Sequence, residues 1–471
     1  MAFNIPFDNS YVTLPDRFYT RLDPTPVKAP ELLRFNAALA GDLGITAGSD
    51  VEMARVFAGN DIPAGAAPLA QAYAGHQFGN YNPRLGDGRA NLLGEVNTPN
   101  GRFDIQLKGT GPTPYSRSGD GRAWLGPVLR EYVVSEAMHA MGIPTTRALA
   151  AVTTGEDIWR ETALPGAILT RVARSHIRVG TFQYFAAKQD KAALQTLTDY
   201  AIARHFPQAQ GPLEFLVAVI DRQAKLIAHW MSVGFIHGVM NTDNTQIAGE
   251  TIDYGPCAFM DVYHPVTVFS SIDRQGRYAF DNQEKIIVWN MAQLANSLLL
   301  IMPDLDKGVA DFTTAIEAMP AKIHAHWCKL YRAKIGLATD QNSDVELIND
   351  LLKLMADNGA DFTNTFRALG RDDAAENFID RDGYDAWRTR WQARLQNETN
   401  PAATMNAANP AYIPRNHRIE IMIEAAVAGD FAPFNRLLRV LATPFSDQAD
   451  ADDLRMPPKG DEVVQQTFCG T

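Results

Sequence analysis

The sequence predicts an α+β protein with a strand-rich first part and a helix-rich second part. Apolar residues alternate between residues 90 and 108, as in strands, whereas helical spacing dominates from about residue 187 onward. A loop-rich motif at 237 to 256 interrupts those helices. The chain of 471 residues is long enough for two lobes with added helices. We expect an N-terminal lobe at 1–185, a helical C-terminal lobe at 186–445 and a tail at 446–471.

The first part is predicted to contain two helices and then a hairpin that carries a lysine. Helical patterns cover 30 to 48 and 51 to 58, and a glycine-rich stretch follows at 74 to 96. Alternating apolar residues then predict two strands joined at "NTPNG", the second of which ends at Lys108. A glycine loop followed by a strand with a lysine is therefore the expected order.

A long helix is predicted after a second glycine-rich loop, "TPYSRSGDGRAWLG". Pro127 suits its first turn, and Gly142 stops the apolar spacing. The helix carries Glu131 and Glu136, of which only one is expected to face the lysine. A strand-like run within 166 to 185 then leads to three arginines, Arg171, Arg174 and Arg178.

The second part is predicted to be helical on both sides of the motif. Its predicted helices span 187 to 205, 212 to 234, 283 to 302, 308 to 335, 344 to 357, 376 to 396 and 416 to 441. The sequence contains no internal repeat. The acidic stretch at 447 to 454 is predicted to be part of a solvated tail.

Composition argues against several classes of partner. A net charge of -11 and a pI near 5.4 argue against nucleic acid or an anionic membrane surface. No apolar run approaches the roughly 18 residues that a membrane span needs, and the first residues lack the features of a leader. We therefore expect a cytoplasmic monomer. The three cysteines predict reduced thiols, and a redox role for Cys469, paired with Cys257, is an open hypothesis.

The motif "HGVMNTDNTQIAGETIDYGP" at 237 to 256 resembles the catalytic and metal loops of protein kinases. His237 and Asn244 keep the kinase spacing, and Asp-Tyr-Gly at 253 to 255 can stand for the kinase Asp-Phe-Gly. The position of the catalytic Asp, however, holds Val239. The pattern predicts a protein-kinase-like two-lobed fold without the usual substrate-positioning carboxylate.

Asn244 and Asp253 are the predicted metal ligands. Magnesium prefers oxygen ligands and takes only one or two from protein, with phosphates and water supplying the rest. If "NTQIAGETIDYG" forms strand, glycine turn and strand, the two side chains lie on neighbouring strand ends. The alternative is that one caps a turn and the other forms a loop salt bridge. Asp243 is the candidate base, because no other carboxylate in the loop can replace the missing one, and its alternative role is structural.

Cationic and glycine residues form the predicted phosphate site. Lys108 and Glu131 resemble the ion pair that positions phosphates in kinases, with Glu136 as the alternative partner. A pyrophosphate leaving group needs more cations than a terminal phosphoryl group, so Arg171 and Arg178 point to chemistry at the α-phosphate. The alternative is that these arginines form structural salt bridges. The glycine loops add Gly86, Gly88, Arg89, Asp120 and Gly121 to the predicted site. At the glycines, a backbone without Cβ can approach a ligand closely.

Long motifs then resemble a known family over essentially the whole chain. They are "YAGHQFGNYNPRLGDGRANLLGE", "QLKGTGPTPYSRSGDGRAWLGPVLREYVVSEAMHAMGIPTTRAL", "HGVMNTDN", "IDYGP" and "QQTFCGT". They resemble the selenoprotein O or YdiU family of protein adenylyltransferases. The resemblance implies a kinase-like fold with family-specific helical additions, and transfer of AMP from ATP to Ser, Thr or Tyr hydroxyls of proteins.

The resemblance also implies a role for each candidate residue. It implies Asp243 as the acid/base, and Asn244 and Asp253 as ligands of Mg²⁺, with Mn²⁺ as the alternative. It implies that ATP is bound by Gly86, Gly88, Arg89, Lys108, Asp120, Gly121, Arg171 and Arg178.

Two features of the sequence leave alternatives open. Cys469 stands where some family members carry selenocysteine, and "YHPVTVFSSIDRQGRY" lacks the cysteine of some relatives, which puts disulfide regulation in doubt. The rival functions are a kinase that transfers the γ-phosphate with Asp243 as base, and an ATP-binding scaffold without chemistry. Retention of both predicted metal ligands argues against the scaffold.

Overall fold

A computed structural model describes residues 3 to 371 and 373 to 468 and has mixed α and β structure. Its strands are β1 (Tyr19–Arg21), β2 (Glu31–Phe35), β3 (Leu69–Gln71), β4 (Gly75–Gln77), β5 (Asn80–Asn82), β6 (Ala90–Thr98), β7 (Gly101–Lys108), β8 (Ala123–Trp124), β9 (Arg147–Trp159), β10 (Ala163–Ala173), β11 (Phe235–Ile236) and β12 (Ala258–Phe259).

Two short helices lie between β2 and β3, α3 lies between β8 and β9, and the other helices follow β10. They are α1 (Ala37–Asp42), α2 (Asp50–Phe57), α3 (Leu125–Ala140), α4 (Val179–Ala187), α5 (Lys191–His205), α6 (Pro212–Ser232), α7 (Gln283–Leu298), α8 (Leu305–Glu317), α9 (Met319–Lys334), α10 (Asp344–Asn358), α11 (Phe362–Leu369), α12 (Arg381–Leu395), α13 (Pro401–Ala408), α14 (Asn416–Val427), α15 (Ala432–Leu441) and α16 (Asp452–Arg455). None of these helices has the length and apolar character needed to cross a bilayer.

The large sheet is antiparallel throughout. Its strand order is β1-β3-β6-β7-β10-β9-β2, with β8 paired to β10 outside this path. The predicted hairpin is confirmed as β6 and β7, and Lys108 is the last residue of β7. Lys108 lies opposite Leu169 of β10, and Arg171 lies opposite Gln106. Because strand side chains alternate between faces, Lys108 and Arg171 share one face of the sheet.

The predicted helix at 30 to 48 is wrong over its first third. Glu31–Phe35 is strand β2, which pairs with β9, and only Ala37–Asp42 is helical. Leu32 and Leu33 pack against two different core clusters, as expected when neighbouring side chains point to opposite faces of a strand.

Two long predicted helices are each divided into two. The prediction for 308 to 335 covers α8 and α9, which meet at Ala318, with Pro320 in the first turn of α9. The prediction for 416 to 441 covers α14 and α15, which are separated at Gly429, where φ is +92°. Proline and left-handed glycine interrupt helices, and both were visible in the sequence.

Helix α3 is buried on nearly all sides, because it packs between strands of the large sheet and two C-terminal helices. It contacts β9 and β10 on one side and α14 and α15 on another. Residues along its length, including Leu129, Val133 and Met138, belong to the largest core cluster. This packing directs Glu131 toward β7 and β10.

The far C-terminal segment returns to the middle of the chain. Thr467 pairs with Ser270, exchanges backbone hydrogen bonds with Phe269 and Ser271, and donates its hydroxyl to the Pro256 carbonyl at 2.6 Å. Cys257 and Cys328 are buried free thiols. Cys469, for which a redox role is an open hypothesis, lies outside the described residues.

A buried ion pair gives a test of this packing. Arg415 is 1% exposed and bonds Asp361 at 2.8 Å and also Asp261. Replacing Arg415→Met leaves two carboxylates without their cation, so we expect a loss of about 3–5 kcal/mol in the free energy of unfolding. Urea unfolding followed by circular dichroism measures it. The control is Arg390→Met, whose pair with Asp350 is half exposed and worth under about 1 kcal/mol. Equal losses in both variants would contradict the prediction.

Candidate active site

One cavity brings together nearly all of the predicted site residues. It measures about 1040 Å³, comparable to the largest small-molecule sites of proteins. The predicted residues on its wall are Gly86, Gly88, Arg89, Lys108, Asp120, Gly121, Arg171, Arg178, Asp243, Asn244 and Asp253. Glu131 lies behind this wall, where it contacts two of its cations.

Four charged side chains form a network at the inner end of the cavity. Lys108 Nζ lies 2.7 Å from Glu131 Oε2 and 2.9 Å from Asp253 Oδ1. Arg171 bonds the same two carboxylates, at 2.6 Å to Glu131 and 2.7 Å to Asp253. The predicted contact of Lys108 with Glu131 is thus present. Glu136 instead accepts two hydrogen bonds from Arg147, outside the cavity.

The network keeps both carboxylates ionised. Burial alone would raise the pKa of Glu131, but Arg171 and Lys108 outweigh it and the pKa is lowered. Burial likewise opposes ionisation of Asp253, yet Lys108, Arg171 and Arg178 hold its pKa well below the usual range. At neutral pH the inner end of the cavity therefore contains two carboxylates in contact with cationic side chains.

Arg178 connects this network to the motif. Its guanidinium donates to the Asp243 carbonyl at 2.9 Å and lies 3.8 Å from Asp253 Oδ2. Tyr73 supports it from one side, with its ring centre 4.4 Å from the guanidinium carbon and its hydroxyl 3.0 Å from Nη1. Arg178 is thus held in place by backbone and aromatic contacts, and its two nearest carboxylates, Asp253 and Asp87, lie at the longer distances of 3.8 and 4.0 Å.

The motif forms the predicted glycine turn, in which the Gly249 amide donates to the Gln246 carbonyl, but not the two predicted strands on either side of it. Residues 242 to 244 form a 3-10 turn, and the backbone beyond it bonds to distant segments. Ile247 donates to the Ile177 carbonyl and Thr251 to the Pro144 carbonyl, so the two halves do not pair with each other. Asp253 has a left-handed backbone with φ of +64°, a conformation that Asp tolerates better than most residues.

Val239 has a structural role at the position where a kinase has its catalytic Asp. It is buried, and its carbonyl accepts from the Asn244 side-chain amide at 3.0 Å and from the Asn241 backbone at 2.8 Å. The amide nitrogen of Asn244 is thereby used, which leaves its oxygen as the group available to a ligand. The valine side chain itself brings no acid or base to the cavity.

Asp243 is a buried carboxylate with one oxygen unpaired. Gln77 Nε2 donates to its Oδ2 at 3.2 Å, whereas Oδ1 has no hydrogen-bond partner within the described part of the chain. Burial raises the pKa of Asp243 to about 6, and its own backbone amide and Gln77 only partly offset this. A carboxyl group of this pKa can take up a proton near neutral pH.

The two glycine loops lie against each other at the cavity mouth. A Cβ on Gly86, where φ is +68°, would approach Tyr115 Cγ to 2.3 Å, and one on Gly121 would approach the Gly111 oxygen to 2.0 Å. Asp120 forms an ion pair with Arg160 at 2.8 Å. Arg89 makes no side-chain hydrogen bond or ion pair with any described residue, so its charge faces the cavity unpaired.

The residues present suit a divalent cation shared with a ligand. No group of three or more His, Cys, Asp or Glu side chains within residues 3 to 371 and 373 to 468 could hold a metal by itself. Asn244 and Asp253 offer an amide oxygen and a carboxylate on one cavity wall, the number and type of protein ligands that Mg²⁺ accepts beside phosphates.

Sequence reasoning missed several polar residues of the cavity wall. Tyr73, Gln77, Asp87, Gln106 and Asn241 all line it. Gln106 was detectable, since it precedes Lys108 by two positions and so shares its face of β7. Nothing in the spacing marked Gln77, which reaches Asp243 from 166 positions away.

Comparisons with known proteins agree on one family. A family model described as "Protein adenylyltransferase SelO" matches residues 1–442. Proteins named "Protein nucleotidyltransferase YdiU" from a Ruegeria species and from Roseobacter denitrificans are each 63% identical over 472 residues, covering 100% of both chains. A Jannaschia relative of the same name is 59% identical over 475 residues, covering 99% of both.

These matches place the chain in the nucleotidyltransferase class of enzymes. It belongs to the SelO family, as the long motifs predicted.

The two glutamates of α3 allow a matched test of the network. Changing Glu131→Gln removes the partner that fixes the direction of Lys108 and Arg171, and both cations then compete for Asp253. We expect nucleotide transfer to fall by roughly tenfold or more, equivalent to about 1.4 kcal/mol in activation free energy. The control Glu136→Gln breaks a comparable pair with Arg147 outside the cavity, and it should lower stability without this loss. Equal transfer rates in the two variants, at matched thermal stability, would count against the network.

Proposed function

We propose that this protein transfers AMP from ATP to Ser, Thr or Tyr hydroxyls of other proteins, on a kinase-like two-lobed fold. One observation carries the proposal: Lys108, Arg171, Arg178 and an unpaired Arg89 converge on the cavity that also contains Asp253. So many cations suit a reaction in which pyrophosphate leaves. A pyrophosphate leaving group needs more cations around it than the transfer of a terminal phosphoryl group does.

The triphosphate is proposed to bind along these cations. Lys108 and Arg171 would hold one end of it, Arg178 the middle, and Arg89 with the loops at Gly86, Gly88, Asp120 and Gly121 the remainder. Gly86 and Gly121 allow the two loops to pack closely together beside the cavity, because a Cβ at either position would collide with Tyr115 or with the Gly111 oxygen.

Asn244 and Asp253 are proposed to hold Mg²⁺ between protein and phosphates, with Mn²⁺ as the alternative. The ion would supply charge neutralisation to the phosphates. The hydrogen bond from Asn244 to Val239 turns the amide oxygen toward the ligand side. Lys108 and Arg171 compete for Asp253 when no ligand is bound, and phosphate oxygens would draw those cations away.

Asp243 is proposed as the base. The acceptor hydroxyl oxygen attacks the α-phosphorus, the bond from that phosphorus to the bridging oxygen breaks, and pyrophosphate leaves. The hydroxyl proton passes to the Asp243 carboxylate. Such transfers depend mostly on positioning and charge neutralisation, so a base with a pKa near 6 is strong enough.

A position-specific label tests the reaction. Purified protein is incubated with Mg²⁺ and ATP labelled at either the α- or the γ-phosphate, with Asp253→Ala alongside. We expect only the α-label to enter protein. We expect no label to enter protein with Asp253→Ala, because the proposed Mg²⁺ then loses one of its two protein ligands. Incorporated γ-label would instead indicate a kinase despite Val239. Absence of both labels, together with measurable ATP binding, would indicate a scaffold.

The pH dependence tests the base. Because burial favours the neutral carboxyl, Asp243 loses its proton only as the pH rises through about 6. We therefore expect kcat/KM for AMP transfer to fall about tenfold per pH unit below pH 6 and to level off above it, since this ratio reports the free enzyme. Asp243→Asn should lower the rate by about 10²- to 10⁴-fold and remove the acidic limb. An unchanged limb in the variant would assign the titration to another group.

A further inference from the structure

We infer that the hairpin of β4 and β5 is a positioning element for Asp243, in which Gln77 holds the carboxylate and Gly75 provides the space for it. This inference rests on the proposed role of Asp243. The hairpin spans residues 75 to 82, with Gly75 paired to Asn82 and Gln77 paired to Asn80. It lies outside the large sheet, so its position depends on its contacts with the motif and with α4.

Backbone hydrogen bonds fix the hairpin to the motif at two points. The His76 amide donates to Thr242 Oγ1 at 2.7 Å, and the Phe78 amide donates to Asn241 Oδ1 at 3.2 Å. The first strand therefore runs beside residues 241 to 243 in a fixed register. Phe78 has a left-handed backbone with φ of +52°, which marks the turn directly after Gln77.

The side chains of the first strand divide between two faces. His76 points away from the cavity, where its Nδ1 accepts from Gln183 and its ring packs edge-on against Trp289. Gly75 and Gln77, one position to either side, face Asp243. The Thr242 hydroxyl donates to Gln183 Oε1 at 2.6 Å, so the outer face is tied to α4 as well.

Gly75 is needed because the Asp243 carboxylate occupies the space of a side chain. A Cβ at Gly75 would lie 2.5 Å from Asp243 Oδ1 and 2.9 Å from its Cβ. Gly180 at the start of α4 is equally close to the strand, since a Cβ there would lie 2.0 Å from the Ala74 oxygen. Oδ1 is thus enclosed against the hairpin, whereas Oδ2 accepts from Gln77, and both residues line the cavity.

Gln77 supplies the single side-chain hydrogen bond that Asp243 receives within the described residues. An amide cannot exchange a proton under these conditions, so Gln77 acts through the direction it gives to Oδ2. With one lone pair of Oδ2 used by Gln77, the remaining one is directed into the cavity, where the acceptor hydroxyl must approach. Gln77 is therefore a positioning residue, and its loss should affect turnover more than ATP binding.

The test uses variants of one hairpin. Gln77→Met keeps the length of the side chain but cannot donate, and we expect kcat for AMP transfer to fall 10- to 100-fold with KM for ATP changed less than twofold. Gln77→Glu cannot donate when ionised and should lose as much. Asn80→Ala, on the exposed turn of the same hairpin, is the control and should retain full kcat. Unchanged kcat in Gln77→Met, or a rise in KM without a fall in kcat, would overturn the inference.

A double variant separates the inference from its premise. If Gln77 acts through Asp243, the residual labelling by Asp243→Asn, followed over hours, should be the same with and without Gln77→Met. A further loss in the double variant would assign Gln77 an independent role and reject the inference. Full activity of Asp243→Asn alone would contradict the proposed role of Asp243 as base, and would also contradict the inference that rests on that role. Thermal unfolding midpoints within a few degrees of the parent exclude misfolding as the cause.

Discussion

A network of four closely packed charged side chains constrains the whole structure. Lys108, Glu131, Arg171 and Asp253 are largely enclosed, and each of these side chains contacts two others of opposite charge. They come from β7, α3, β10 and the motif, so the sheet register, the rotation of α3 and the path of the motif must all agree. Arg178 adds a third cation, which lies 3.8 Å from Asp253 and 4.0 Å from the buried Asp87, so the unpaired positive charge among the predicted site residues comes from Arg89.

Local patterns predicted the elements that carry these charges. The alternation ending at Lys108 and the helical spacing around Glu131 depend on neighbours in sequence, so β7 and α3 were predictable. Local patterns could not predict which of Glu131 and Glu136 contacts Lys108. Five positions turn a helix by about 140°, so only one of them can face the sheet, and which one depends on where α14 and α15 pack.

Elements whose partners are distant in sequence were mispredicted. Strand β2 pairs with β9 more than one hundred positions away, and residues 245 to 251 bond to segments near 145 and 177. A short apolar run has no intrinsic preference strong enough to override such pairing. The site residues were predicted from a family resemblance and motif spacing, whereas the hairpin that encloses Asp243 required the three-dimensional arrangement.

The return of Thr467 to Pro256 and Ser270 has a consequence for synthesis of the chain. The segment after Asp253 leaves the ribosome 211 positions before Thr467. At about 5–20 residues per second, that segment waits roughly 10–40 s for its last hydrogen bonds. The sheet and α3 can begin to fold in that interval, whereas the contacts of Thr467 with Pro256, Phe269 and Ser271 form only after it.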